Sequence, residues 1–123
     1  MDNAFVTAQG ARPWKLWKAI NGTKGNLSAT ALPEKFSELN IFVQFTERRT
    51  ATMGISIPYI HLKDSPTWFS VSDVMFIGFR ESNFYGGHAD LMISKTQITV
   101  NNARVGHESM MTDANFTLYI YYR

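Results

Sequence analysis

No cysteine occurs in the 123 residues of this chain. Its absence removes disulfide staples, thiolate zinc sites and cysteine nucleophiles together, and it is compatible with folding in a reducing compartment. Charge is scarce as well. Asp, Glu, Lys and Arg make up 18% of the residues, below the usual figure of about 25%. The net charge of +2 is dispersed, with only Arg48 and Arg49 adjacent, so there is no basic arm suited to nucleic acid. No apolar run approaches the roughly 20 residues of a membrane-spanning helix. Met1–Gly10 has neither the basic start nor the apolar stretch of a signal peptide.

What the chain does have is apolar and aromatic content, 45% and 14% respectively. That composition is unlike disorder and suits sheets that bury broad side chains. A single domain of this length buries about two-thirds of its unfolded surface and needs no metal or disulfide to be stable. Residues 1–13 read as an N-terminal lead-in, and 14–123 as one domain.

Period-two alternation dominates that domain. Leu39, Ile41, Val43 and Phe45 alternate with Asn40, Phe42, Gln44 and Thr46, a strand with one buried face. Ala51–Pro58 continues the pattern with Met53, Ile55 and Ile57, giving a hairpin across Glu47–Thr50. Ala89–Ser94 and Gln97–Val100 form a second hairpin around Lys95-Thr96. Phe116, Leu118, Ile120 and Tyr122 supply a last alternating strand.

Further strands are expected at Trp14–Ile20, Leu27–Leu32, Trp68–Val71 and Val74–Glu81, the last apolar on both faces. Asn21-Gly22 and Ser82–His88 are expected as turns, Asn101–Asn115 as the longest loop, and Glu34–Leu39 as the one helical turn, started by Pro33. The pattern predicts an all-β, antiparallel sandwich of jelly-roll or Greek-key type with almost no helix.

The order of landmarks carries a resemblance. Trp14-Lys15-Leu16, Leu32-Pro33, Glu38-Leu39, Ile57-Pro58-Tyr59-Ile60 and the terminal Tyr119-Ile120-Tyr121-Tyr122-Arg123 together resemble the distal β-rich domains of tailed-phage and prophage tail, baseplate and tail-fibre proteins. The resemblance implies a non-enzymatic virion component, a homotrimer that contacts other tail proteins, is made in the bacterial host cytoplasm, and often binds a host-surface polysaccharide. It implies no catalytic residues and no cofactor. Such domains usually end a longer chain, whereas only residues 1–13 precede the fold here, so a free-standing subunit and an excised domain both stay open. The alternative reading is a carbohydrate-binding module taken from a larger protein.

Catalytic constellations are hard to find. The ten acids fall mostly at expected turns or strand ends, and Asp64 with Asp73 is the one hydrolytic pair left open. His61, His88 and His107 show no pair at metal-ligand spacing. There is no Gly-x-Ser-x-Gly, because Met53–Ile57 lacks the second glycine.

Aromatics are more informative, since one small core cannot hold all 17. Phe42, Phe79, Tyr119 and Tyr121 stand on the second faces of their strands and are expected at an interface between copies. Trp68 and Tyr85, with the polar Asn83 and His88 nearby, are expected as turn residues able to stack on sugar rings.

Overall fold

Alternating apolar residues can leave water only if a second sheet covers them. In the computed structural model, two antiparallel sheets meet face to face and enclose those residues. It describes residues 13–46, 52–77, 84–107 and 110–123, with backbone alone at 74–77, 84–85 and 107.

The strands are β1 (Lys15–Gly22), β2 (Leu27–Ala31), β3 (Glu38–Phe45), β4 (Thr52–Pro58), β5 (Thr67–Ile77), β6 (Phe84–Ile93), β7 (Gln97–His107), β8 (Thr112–Asp113) and β9 (Phe116–Tyr122). The first sheet has the order β1-β9-β3-β4 and the second β2-β7-β6-β5, with β8 added beside β7. Every pairing is antiparallel. Because β9 inserts between β1 and β3, and β7 lies beside β2, the connections are Greek-key-like, as the alternation predicts.

The core is aliphatic. Leu39, Ile41, Val43, Leu118 and Ile120 of the first sheet face Leu91, Ile93, Ile98 and Val100 of the second, all essentially without solvent contact. Phe45 and Phe116 are the two fully buried aromatic residues among those described. Trp17, Phe36, Phe69 and Tyr122 pack against the core while only partly buried.

Several local expectations are corrected. Asn21-Gly22 is not a turn; it ends β1, and the turn lies at Thr23–Asn26, with Lys24 and Gly25 both at positive φ. Gly22 is placed where a Cβ would collide with the Phe116 ring. The glycine serves the opposing ring rather than the chain reversal. Glu34–Leu39 forms no helical turn; the one described helical piece is a 3₁₀ turn at Tyr59–His61. Trp68–Val71 and Val74–Ile77 are one continuous strand with a bulge between Val74 and Phe76. The segment expected as the Ser82–His88 turn is strand from Phe84 onward.

The expected long loop, Asn101–Asn115, holds the second half of β7 and all of β8. Its strand character was hidden by a bulge. His88 pairs with Arg104 but Asp90 with Asn101, so Asn102 and Ala103 together oppose Ala89. Asn102 takes φ +54, the left-handed conformation that asparagine tolerates best after glycine. This extra residue shifts the alternation by one, so Ala103 and Val105 point inward in place of Asn102 and Arg104.

Trp17 joins the sheet edges. It sits at the β1 bulge between Leu16 and Lys18, and its indole N–H donates to the Ala31 carbonyl of β2 at 2.9 Å.

Candidate functional site

The outer face of the second sheet is polar and ordered. In β5, Trp68, Ser70 and Ser72 point away from the core, and in β6, His88 and Asp90 do the same. Register places Ser70 directly opposite Asp90 and Ser72 opposite His88, so the side chains stand within hydrogen-bond reach across the strands.

Asp90 is the hub. Its Oδ1 accepts from Trp68 Nε1 at 3.2 Å, from Ser70 Oγ at 3.4 Å and from His88 Nε2 at 2.8 Å. Its Oδ2 accepts from Asn102 Nδ2 at 3.0 Å. The bulge described above gives Asn102 this role, because its positive φ turns an otherwise misplaced side chain toward β6. The Asp90 side chain is only 13% exposed. Burial pushes its carboxyl up, but the hydrogen bonds from Asn102, His88 and Trp68, with the attraction of His88, together outweigh that and hold it below its ordinary value of 3.8.

His88 extends the line. Its Nδ1 lies 2.7 Å from Ser72 Oγ. With Nε2 donating to the carboxylate, Nδ1 of the neutral ring is the acceptor of the Ser72 hydroxyl. Ser72, His88 and Asp90 thus stand in series, with the connectivity of a nucleophile relay. An acyl-transfer site also needs free N–H donors aimed at a developing oxyanion. Trp68 gives its single N–H to Asp90 and Asn102 one of its two amide N–H groups.

Trp68 itself is open to solvent, with 65% of its surface exposed. Its N–H is fixed to Asp90, so the indole is oriented without being covered. Beside it lie hydroxyl, imidazole and amide groups, the combination that a polyhydroxylated ring can both stack on and bond to.

Of the residues expected to contact a ligand, Trp68 and His88 meet on Asp90, in strands rather than in turns. Asn83 and the Tyr85 side chain lie outside the described residues. Ser70, Ser72, Asp90 and Asn102 were missed. The signal available for three of them was period two, Trp68-x-Ser70-x-Ser72 and His88-x-Asp90, which places each set on one face of a strand.

The residues expected at an interface gather on the opposite side of the molecule, on the outer face of the first sheet. Phe42 pairs in register with Tyr119, and its ring meets that of Tyr121 edge to face with centroids 5.9 Å apart. Gly54, across from Phe42 on the edge strand β4, leaves room for the ring, since a Cβ there would come within 2.6 Å of it. Tyr119 Oη donates to Gln44 Oε1 at 3.3 Å, and Gln44 Nε2 to Thr52 Oγ1 at 3.4 Å. Together these side chains line a shallow groove of about 260 Å³. Phe79 lies outside the described residues.

The open hydrolytic pair does not form. Asp64 lies 3.5 Å from Lys95 Nζ, before β5 begins. Asp73 is six residues into that strand, roughly 20 Å further on at about 3.3 Å per residue. Among the described residues no group of three or more His, Asp or Glu side chains could hold a metal ion. No protein-family model matches the chain, and no curated protein or solved structure is significantly similar to it.

Proposed function

We propose that this chain is a non-enzymatic binding and assembly protein of the tail-fibre or baseplate kind, which engages host-surface carbohydrate through the outer face of β5, β6 and β7. The observation that carries the reading is the Trp68 indole, two-thirds exposed yet anchored through Asp90 to Ser70, His88 and Asn102. Such a platform loses little freedom on binding, because its side chains are already ordered. The attribution to a virion tail rests on the resemblance of the sequence landmarks.

Binding of neutral oligosaccharides from a glycan array, followed by titration of the best ligand, tests the platform. Trp68→Ala should weaken binding at least about tenfold, equivalent to about 1.4 kcal/mol, while leaving the unfolding midpoint within about 0.5 kcal/mol, as expected of an exposed side chain. An unchanged affinity would remove Trp68 from the site.

Assembly is favoured by a separate observation, the Phe42, Tyr119 and Tyr121 rings collected on the other outer face. A second copy docked there would bury them, and the tail resemblance implies three copies and further tail proteins as neighbours. Sedimentation at micromolar concentration should therefore show a trimer, which Tyr121→Glu disperses. A wild-type chain that sediments as a monomer refutes self-assembly and favours the alternative, a monomeric carbohydrate-binding module from a larger protein.

A further inference from the structure

At the end of the sandwich where β1 begins and β9 finishes, a cleft of about 480 Å³ opens between the start of β1, the β2–β3 connection and the end of β9. Phe36 and Tyr122 provide its apolar lining, and Lys15, Lys35, Ser37 and Arg123 its polar one. Its volume is within the range of small-molecule sites.

The walls are held in place. Ser37 donates to the Arg123 carbonyl from both its backbone N–H and its hydroxyl, each at 2.8 Å. Phe36 packs edge to face on Tyr59 at 5.0 Å, and Tyr122 on Trp17 at 6.0 Å. Arg123 bonds to Glu38 through Nε at 2.9 Å and lies over the Trp14 ring at 4.3 Å.

The lysines are different. Elsewhere at this end Lys95 has both Asp64 and the Tyr59 ring. Lys15 and Lys35 are exposed and, among the described residues, have no hydrogen bond, ion pair or ring contact. Among the described residues no carboxylate side chain lines the cleft. Two ammonium groups with no described ion pair therefore overlook an aromatic lining, and an anion carried on a ring-sized body engages both at once.

We infer that this cleft binds an anionic sugar unit, its carboxylate or phosphate between Lys15 and Lys35 and its ring against Phe36 and Tyr122. The inference rests on the carbohydrate reading above but concerns a second site on a different part of the surface. Lysine suits the task, because as a compact cation on a flexible stem it accepts either anion without the fixed geometry that arginine imposes.

Residue-resolved NMR titration tests it with four probes: tri-galacturonate, its methyl ester, glucose 6-phosphate and glucose. The charged probes should shift resonances of Phe36, Ser37 and Tyr122, and the neutral ones should not. Preference for tri-galacturonate assigns a carboxylate, and preference for glucose 6-phosphate a phosphate. Raising salt from about 0.1 M to about 1 M, which shortens the screening length from about 10 Å to about 3 Å, should weaken binding severalfold.

The Lys15→Gln, Lys35→Gln double variant should lose at least tenfold in affinity while keeping the wild-type unfolding midpoint. Both side chains are exposed, so the fold is not at stake, and Lys15→Ala, Lys35→Ala serves as a second variant. Trp68→Ala should leave this binding unchanged, which separates the cleft from the β5–β6–β7 platform. Equal binding of charged and neutral probes, unaltered affinity of the lysine variants, or equally tight binding of an oligoglutamate peptide would each overturn the inference.

Discussion

Replacing Phe116 with alanine is expected to destabilise the domain by about 3–5 kcal/mol, the range for truncating a buried phenylalanine. Against a total of about 5–15 kcal/mol for a native domain, this is a large fraction of the stability. The reason is the ring's double duty. Phe116 is fully buried and stands in register with Phe45 on one side and Gly22 on the other. Its ring occupies the space that a side chain at Gly22 would fill. An edge-strand glycine covered by a cross-strand aromatic keeps β1 attached to the sheet despite the glycine's lack of packing surface.

Gly22→Ala should in turn cost about 1–3 kcal/mol through overpacking. The double variant should cost clearly less than the sum, because each change removes the reason for the other's penalty. Urea unfolding of the four proteins measures this. Strict additivity, or a Phe116→Ala cost below about 1 kcal/mol, would contradict the pairing.

The second large effect is at Asp90. Asp90→Ala withdraws the acceptor from four donors, and its removal is expected to cost about 2–3 kcal/mol, in line with a hydrogen-bonded charged group. More importantly, it releases Trp68, His88 and Asn102 together, so carbohydrate binding should be lost even under conditions where the variant remains folded.

The pH dependence of stability offers a finer check. The folded carboxyl titrates below its unfolded value. Its contribution is therefore complete at neutral pH and is lost as the pH falls through the folded value, below about pH 4. Asp90→Asn should close part of its stability gap to the wild type between about pH 5 and pH 3. Thermal unfolding across that range decides it, and a gap that does not narrow would deny the carboxylate its special environment.

Legibility in the sequence followed local regularity. Leu39–Phe45 and Phe116–Tyr122 keep unbroken alternation, and both strands lie where the pattern puts them. The Lys95-Thr96 hairpin is equally legible, and the buried Ser94 hydroxyl, which accepts from the Thr96 and Gln97 N–H groups at 3.2 Å each, explains why that turn closes. The second half of β7 was not legible, because a one-residue bulge at Asn102 breaks period two where the polar residues are densest. Gly22 misled for a different reason, since its smallness answers a long-range contact that no neighbouring residue announces.

The platform was half legible. Trp68 and His88 draw notice as an aromatic and a titratable residue, yet Gly86-Gly87 before His88 suggest a turn where β6 runs. Asp90 passes for a solvated acid when read alone. Only the β5–β6 register and the β6–β7 bulge bring Ser70, His88 and Asn102 to the same carboxylate, and these are properties of the pairing between strands that no single strand's pattern shows.

The central claim is that the ordered Trp68–Asp90 face is a carbohydrate platform. Its most direct test follows the indole N–H resonance of Trp68, assigned by its loss in Trp68→Phe, while a neutral oligosaccharide selected on an array is added. The Trp68 signal should move together with backbone signals of Ser70, His88 and Asn102, saturably and with one dissociation constant. Saturable binding that leaves those signals in place, or that moves the Phe42 and Tyr119 face instead, would contradict the account.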